Sequence, residues 1–343
     1  MASAVLEQAI EFVERSEVVP SPIMEEAMRT VMRGEASTEA VRQLLVALHH
    51  RGEDVSELVA AARVLREFMT RIPIQRRPVM DTCGTGGTGA RLFNVSTASA
   101  IAAAACGVRI AKHGNRKVTS STGSADVLSE LGVAIDASHQ VVADCVDQIG
   151  IGFCFAPQAH PAVRNVSEVR RSIPHPTLFN WLGPLCNPAE AEQQVLGVGQ
   201  AALLGKFPTA LRSLGVARFV VLHSDDGLCE LSTQAATQVV VGTEQGMERA
   251  TWSPSDFGVD SRDFSPVVVN SPAESAELIR SAFAGQPGIA RDFVVMNAGA
   301  AVWLADGTIS LAEAADRVRT AIDQGQVAEK LDQLVRASHA ARE

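Results

Sequence analysis

The sequence predicts an α/β protein in which a small helical domain precedes a large α/β domain, and three observations carry that prediction. Residues 1–72 show helical periodicity punctuated by capping residues, a β-loop-α-β unit follows near 78–111, and Val-rich runs then alternate with helical stretches. With 343 residues, 46% of them hydrophobic, the chain can bury a large core in one large or two unequal domains. The reading is residues 1–72 as the helical domain and 73–343 as the α/β domain.

In the helical part, Ser21-Pro22 opens a helix that Gly34 ends, and Ser37-Thr38 opens another that Gly52 ends. Leu6, Ile10, Val13, Met24, Met28 and Met32 recur at helical spacing and read as a core face. Arg76-Arg77-Pro78 marks entry to the second domain. There Pro78-Val79-Met80 reads as a strand end, the glycines of Asp81-Thr-Cys-Gly84-Thr-Gly86-Gly87-Thr-Gly89 as a turn, and Ser96–Cys106 as a helix opened by hydroxyls and closed by Gly107. Arg109-Ile110-Ala111 is the next expected strand. A hydroxyl-rich helix start at Ser120–Ser124 precedes a short helix that Gly132 ends, and Phe219–Leu222 and Phe293–Met296 read as further strands. A stretch rich in Pro, Asn and Arg fills 160–188.

The β-loop-α-β unit reads as a multi-part phosphate site. Its glycines bring bare N–H groups toward an anion, and the following helix N-terminus adds about half a positive charge. Lys112 and His113 fall at the carboxyl end of the second strand, the side of an open α/β sheet where ligands bind. Two helix starts and one lysine around a crevice fit a ligand carrying pyrophosphate. The rival is a dinucleotide fold, because Gly84-x-Gly86-x-x-Gly89 satisfies the glycine fingerprint; that fold wants an acidic residue about 20 positions on, where this chain has Lys112 and His113. No Gly-Lys-Ser/Thr follows the glycines, which excludes a Walker A loop.

Bulk properties narrow the classes further. A net charge of −9 with 4% aromatic residues argues against nucleic acid, which needs a basic stripe and, for single strands, stacking rings. No apolar run approaches the roughly 20 residues that span a bilayer, and no basic segment leads into an apolar stretch at the N-terminus, so the expectation is a soluble cytoplasmic chain. Six scattered cysteines without a C-x-x-C pair fit reduced thiols, and Cys83 beside the glycine loop reads as a small buried residue.

The glycine run, with Asn94-Val-Ser96-Thr97, Lys112-His113-Gly114-Asn115-Arg116 and Ser120-Ser-Thr-Gly-Ser124-Ala-Asp126, resembles the anthranilate phosphoribosyltransferase family. The resemblance continues through Phe155-Ala-Pro157-Gln-Ala-His160-Pro161, Val169-Arg170-Arg171, Leu178-Phe179-Asn180-Trp-Leu-Gly183-Pro184-Leu-Cys-Asn187-Pro188, Asp226-Gly227-Leu-Cys-Glu230 and Met296-Asn297-Ala-Gly-Ala-Ala, covering almost the whole chain. It implies the fold of the nucleoside phosphorylase and phosphoribosyltransferase superfamily, with a central, mostly parallel sheet, and implies that about 160–190 packs back on the helical domain. It also implies transfer of a phosphoribosyl group from phosphoribosyl pyrophosphate (PRPP) to anthranilate in tryptophan biosynthesis, with Mg²⁺ and a homodimer formed through the N-terminal helices.

Carried over by position, the PRPP-binding set is Gly84, Gly87, Thr88, Leu92, Asn94, Val95, Ser96, Thr97, Lys112, His113, Gly114, Asn115, Ser120 and Ser124. The anthranilate set is Gly84, Asn115, His160 and Arg170, the metal set Ser96, Glu230 and Cys229, and Lys112 and Arg170 are the candidate catalytic residues. Arginine suits a carboxylate acceptor because its planar fork binds bidentately. The chain departs from the family pattern at three places that bear on the metal and PRPP. Thr88 and Cys229 stand where the family has Asp, and Leu92 where it has Thr; Pro174-His175-Pro176 also differs. The alternative reading is a diverged paralogue, either a binding or regulatory protein or a transferase with another acceptor.

Overall fold

The computed structural model describes residues 2–87, 89–116 and 123–340. Four helices open the chain: α1 (Ala2–Glu14), α2 (Ser21–Arg33), α3 (Thr38–Arg51) and α4 (Val55–Glu67). Next come β1 (Met80–Gly84), α5 (Val95–Ala105), β2 (Ile110–Gly114), α6 (Ser124–Glu130), α7 (His139–Ile149) and β3 (Ile151–Phe155). Three short helices, α8 (Ala156–Ala159), α9 (Ser167–Ser172) and α10 (Leu178–Leu182), lead to β4 (Gln193–Gly197), α11 (Phe207–Ser213) and β5 (Arg218–Ser224). The strands β6 (Thr237–Thr243) and β7 (Gly246–Trp252) precede α12 (Pro272–Phe283), α13 (Ile289–Asp306), α14 (Leu311–Asp323) and α15 (Gln326–Ser338).

Two compact units form. The helical unit gathers residues 1–70, 157–188 and 209–215. Its helix ends follow the sequence signals: Ser37 caps α3 by accepting from the Ala40 N–H, and Gly34, in the left-handed region at φ 73°, ends α2. Leu6, Ile10, Val13, Met24, Met28 and Met32 are all buried in this unit. The later segments are tied to it by named bonds. The Asn165 amide donates to the Met32 carbonyl at 2.8 Å, and the Arg66 guanidinium donates to the carbonyls of Leu185 and Leu214 at 2.8 and 2.9 Å.

The second unit, residues 71–156, 189–208 and 216–343, is built on a seven-stranded sheet ordered β3-β2-β1-β4-β5-β6-β7. The first five strands are parallel, and the hairpin β6–β7 closes one edge antiparallel. The chain runs outward from β1 through β2 to β3, then returns to the other side of β1 as β4 and β5. The crevice at the carboxyl ends of β1 and β4 is therefore the topological switch point, where open α/β sheets take ligands. Helices α5 and α13 pack on one face with the larger core, while Ala111, Val142, Val146 and Cys154 form a smaller core on the other.

Several expectations are corrected. Phe293–Met296 lies inside α13, not a strand: the apolar run continues through Asn297-Ala-Gly-Ala-Ala-Val, longer than a strand needs, and the helix is buried on nearly all sides. Pro78-Val79-Met80 does not end a strand; β1 begins at Met80 and carries the first glycine within it. Arg109 precedes β2, which runs to Gly114. The start of α5 is capped by the Asn94 side chain, which accepts from the Thr97 N–H at 3.1 Å, so the hydroxyls of Ser96 and Thr97 are not the cap. No single helix among the described residues is long and apolar enough to cross a membrane.

Candidate active site

A cavity of about 640 Å³ opens at the switch point, walled by the glycine run, the first turn of α5, the end of β2 and the start of α6. Gly86 and Gly87 sit at φ 66° and 84°, the left-handed region that side chains resist, which lets the loop fold back with its amides accessible. The end of β4 is as tight. A Cβ on Gly197 would lie 1.6 Å from the Cys229 carbonyl oxygen, so only glycine lets the 225–236 loop cross the sheet edge there.

Lys112 is the buried cation of this site. It is 3% exposed, yet it lines the cavity, and its Nζ donates to the Thr82 carbonyl at 2.7 Å and the Ser96 hydroxyl at 3.2 Å. Burial lowers its pKa, and the negative charge of Asp81 opposes that shift. Asp81 also accepts from the His113 backbone N–H at 3.1 Å, fixing the end of β2.

Of the expected PRPP set, Gly84, Gly87, Leu92, Asn94, Val95, Ser96, Lys112, His113, Gly114, Asn115 and Ser124 line this one cavity. Thr97 does not. It is wholly buried behind the first turn of α5, and only its backbone N–H meets Asn94. Thr88 and Ser120 lie outside the described residues. His160 and Arg170 belong to the helical unit. Arg170, on α9, lies over the Phe179 ring at 5.4 Å, and burial lowers its pKa from a value so high that it stays a cation at neutral pH. His160 is 6% exposed, and burial pushes its pKa down to about 4.

The metal-set residues are on the cavity wall as well. Glu230 is partly exposed to the cavity but closely surrounded by protein, and burial, with Asp226 nearby, pushes its pKa up to about 7. Cys229 turns its thiol to the Gly86 carbonyl, 3.6 Å away. Among the described residues no group of three or more His, Cys, Asp or Glu side chains is arranged to hold a metal ion. One carboxylate and one hydroxyl do suit a hard cation that brings its remaining oxygen ligands with a phosphate substrate. Cys83 accepts from the Gln194 amide at 3.1 Å, and burial raises its thiol pKa well above the ordinary value, so it is no nucleophile.

Sequence reasoning missed Arg91 and Asn270, which also line the cavity and are joined at 3.0 Å. Arg91 was visible as a cation two residues after the glycine run. Asn270 had no local signal, because it arrives from a loop far along the chain through the Val269 N–H bond to the Arg91 carbonyl. The histidines His49 and His175, without context in the sequence, stack at 3.8 Å in the helical unit beside His50.

Comparison with known proteins identifies the family. The a/b domain of the glycosyl transferase family matches residues 76–328 and its helical bundle domain residues 22–69. An anthranilate phosphoribosyltransferase of Rhodopirellula baltica is 47% identical over 89% of this chain and 89% of its own length. That of Thioalkalivibrio sulfidiphilus is 44% identical over 96% and 98%. The crystal structure of the Thermus thermophilus enzyme superposes with a TM-score of 0.90 at 38% identity, covering 97% of this chain and 99% of that one. The fold is also that of the Saccharomyces cerevisiae enzyme in complex with PRPP and Mg, at a TM-score of 0.90 and 22% identity over 98% of each chain. With relatives this similar along nearly its whole length, the chain belongs to the anthranilate phosphoribosyltransferase family.

Proposed function

We propose that this protein transfers the phosphoribosyl group of PRPP to the amine of anthranilate, releasing pyrophosphate, as a step of tryptophan biosynthesis. The observation that carries the reading is the buried Lys112 on the wall of a cavity formed by the glycine run and the first turn of α5. The C1–O bond to pyrophosphate breaks as the C1–N bond to the amine forms, through a transition state with oxocarbenium character, and the amine proton leaves to solvent or pyrophosphate. An aromatic amine is already neutral at pH 7, so no strong base is required. The protein's work is to neutralise the leaving group and fix the acceptor.

In this reading the glycine-run amides, Asn94, Ser96 and Lys112 hold PRPP, while His113, Gly114, Asn115 and Ser124 complete its side of the cavity. Arg170 holds the anthranilate carboxylate, and His160 and Asn115 contact the acceptor. Mg²⁺ bound together with PRPP would supply charge neutralisation for the departing pyrophosphate. Glu230 and Ser96 are the side chains that would hold it, and Cys229 offers no hard oxygen. The presence of PRPP and Mg in the yeast complex, and of 4-fluoroanthranilate in another, supports this substrate set. A homodimer in the cytoplasm belongs to the same proposal. Because the apolar stripe of α1 and α2 is spent inside the helical unit, a partner would meet the more polar faces of these helices, which analytical ultracentrifugation of variants there would test.

The test of activity is loss of anthranilate fluorescence on adding PRPP and Mg²⁺. Arg170→Ala should raise the KM for anthranilate with that for PRPP nearly unchanged, a loss of about 2–5 kcal/mol if the charge pair is desolvated. No consumption by the wild-type protein would overturn the reading in favour of a diverged binding protein. Equal damage to both substrates would make Arg170 structural.

A further inference from the structure

Glu230 sits in a segment, 225–236, that forms no helix or strand, and a residue far along the chain braces its neighbour Leu231. Asn297, 7% exposed in the middle of α13, turns its side-chain amide on the residue next to Glu230. Its Oδ1 accepts from the Leu231 N–H at 2.9 Å and its Nδ2 donates to the Leu231 carbonyl at 3.1 Å, as a neighbouring strand would. The same Nδ2 donates to the Phe293 carbonyl one turn back at 3.0 Å, locking the amide's orientation.

A polar side chain in the middle of a buried apolar helix costs free energy unless its bonds are made, and here the oxygen and both N–H groups are bonded to backbone. Beneath the loop lies a cavity of about 20 Å³ lined by Ser99, Glu230 and Asn297 among others. The hydrogen bonds at Leu231 fix the backbone immediately after Glu230.

We propose that Asn297 is a positioning residue: it holds the backbone after Glu230 so that the carboxylate meets the Mg²⁺ ion of the substrate complex. The inference rests on the PRPP·Mg²⁺ reading given above. Positioning groups of this kind are worth roughly 10–100-fold in metal affinity.

The test takes Asn297→Ala through two measurements beside a thermal melt. Hydrogen exchange of the Leu231 amide in the metal-free protein should quicken. The Mg²⁺ concentration needed for half-maximal PRPP binding, followed by calorimetry and so independent of turnover, should rise roughly 10–100-fold, with the KM for anthranilate unchanged. If Asn297→Ala does not fold, the same measurements are made on Asn297→Ser, whose side chain is too short to span both Leu231 groups. An unchanged Mg²⁺ requirement, whatever the melting temperature does, overturns the inference. Failure of the wild-type protein to bind PRPP with Mg²⁺ would instead overturn the substrate reading, so the two failures are told apart by which protein shows them.

Discussion

Lys112 illustrates how one residue serves structure and chemistry at once. Its ammonium is held off by two oxygens, the Thr82 carbonyl and the Ser96 hydroxyl, that a phosphate can replace or join, and Asp81 keeps the charge tolerable in a buried place. Lys112→Ala is expected to weaken PRPP binding at least tenfold, since hydrogen bonds to charged groups are worth about 1.5–3 kcal/mol; the check is pyrophosphate inhibition, which should be competitive with PRPP in the wild type and nearly lost in the variant. Glu230 carries the opposite case. Its pKa stands at about 7 in the folded protein against an ordinary 4.5, so between those values the folded state holds a proton that the unfolded state has released. Its contribution to stability is therefore present below pH 4.5 and lost as pH rises to about 7. Glu230→Gln should remove that decline in melts run from pH 4.5 to 8. In the wild type the Mg²⁺ needed for PRPP binding should fall as pH rises through about 7, because the ion competes with that proton. A Mg²⁺ requirement flat across that range would show that Glu230 does not meet the metal.

Elements were legible where their ends carry local chemistry and illegible where burial alone decides them. Helices α2 and α3 follow Ser21-Pro22, Gly34, Ser37 and Gly52 because Pro22 suits a first helical turn and the bonds at Ser37, Gly34 and Gly52 join near neighbours, all visible in sequence. The cap of α5 was assigned to the wrong residue because Asn94, Ser96 and Thr97 all have the chemistry and only geometry chooses. Helix α13 was misread because a helix surrounded by core has no polar face to reveal its period. In the cavity, the residues from 84 to 124 were legible because one β-loop-α-β unit brings them together, whereas Asn270 and the clamp at Asn297 depend on contacts far along the chain. The helical unit has a comparable hidden anchor. Glu57 on α4 is wholly buried and accepts from the Val19 and Asp54 N–H groups, each at 2.8 Å, and from the Arg51 guanidinium. One carboxylate thus joins the loop before α2, the end of α3 and the start of α4. Glu57→Ala should destabilise the protein by about 3–5 kcal/mol, because it strands a partly buried arginine and two amides together; a loss below about 1 kcal/mol in urea melts would show the bonds are replaced by water.

At the scale of the whole molecule, the chain leaves its first compact unit at residue 70 and returns to it twice, at 157–188 and 209–215. The returns fill structural roles. Trp181, Leu182 and Leu185 are buried, the Cys186 thiol donates to the Ala62 carbonyl at 3.7 Å, and the Arg66 guanidinium donates to the Leu185 and Leu214 carbonyls of the returning segments. Within residues 1–72 alone, Arg66 would lose these acceptors and α4 would expose the face that α10 covers. A domain of that size buries only about 60% of its surface even when complete, so little stability is left to give away. A fragment of residues 1–72 is therefore expected to show helical circular dichroism but a broad, non-cooperative melt, while the full chain melts cooperatively. The sharper check is at Arg66. Arg66→Ala in the full chain should lower stability by about 1–3 kcal/mol, the cost of buried carbonyls left without a donor, yet leave the circular dichroism and melt of the fragment nearly unchanged, since the fragment lacks both acceptors. A cooperative melt of the 1–72 fragment, with equal sensitivity to Arg66→Ala in both proteins, would show that the first four helices are self-sufficient and that the returning segments only decorate them.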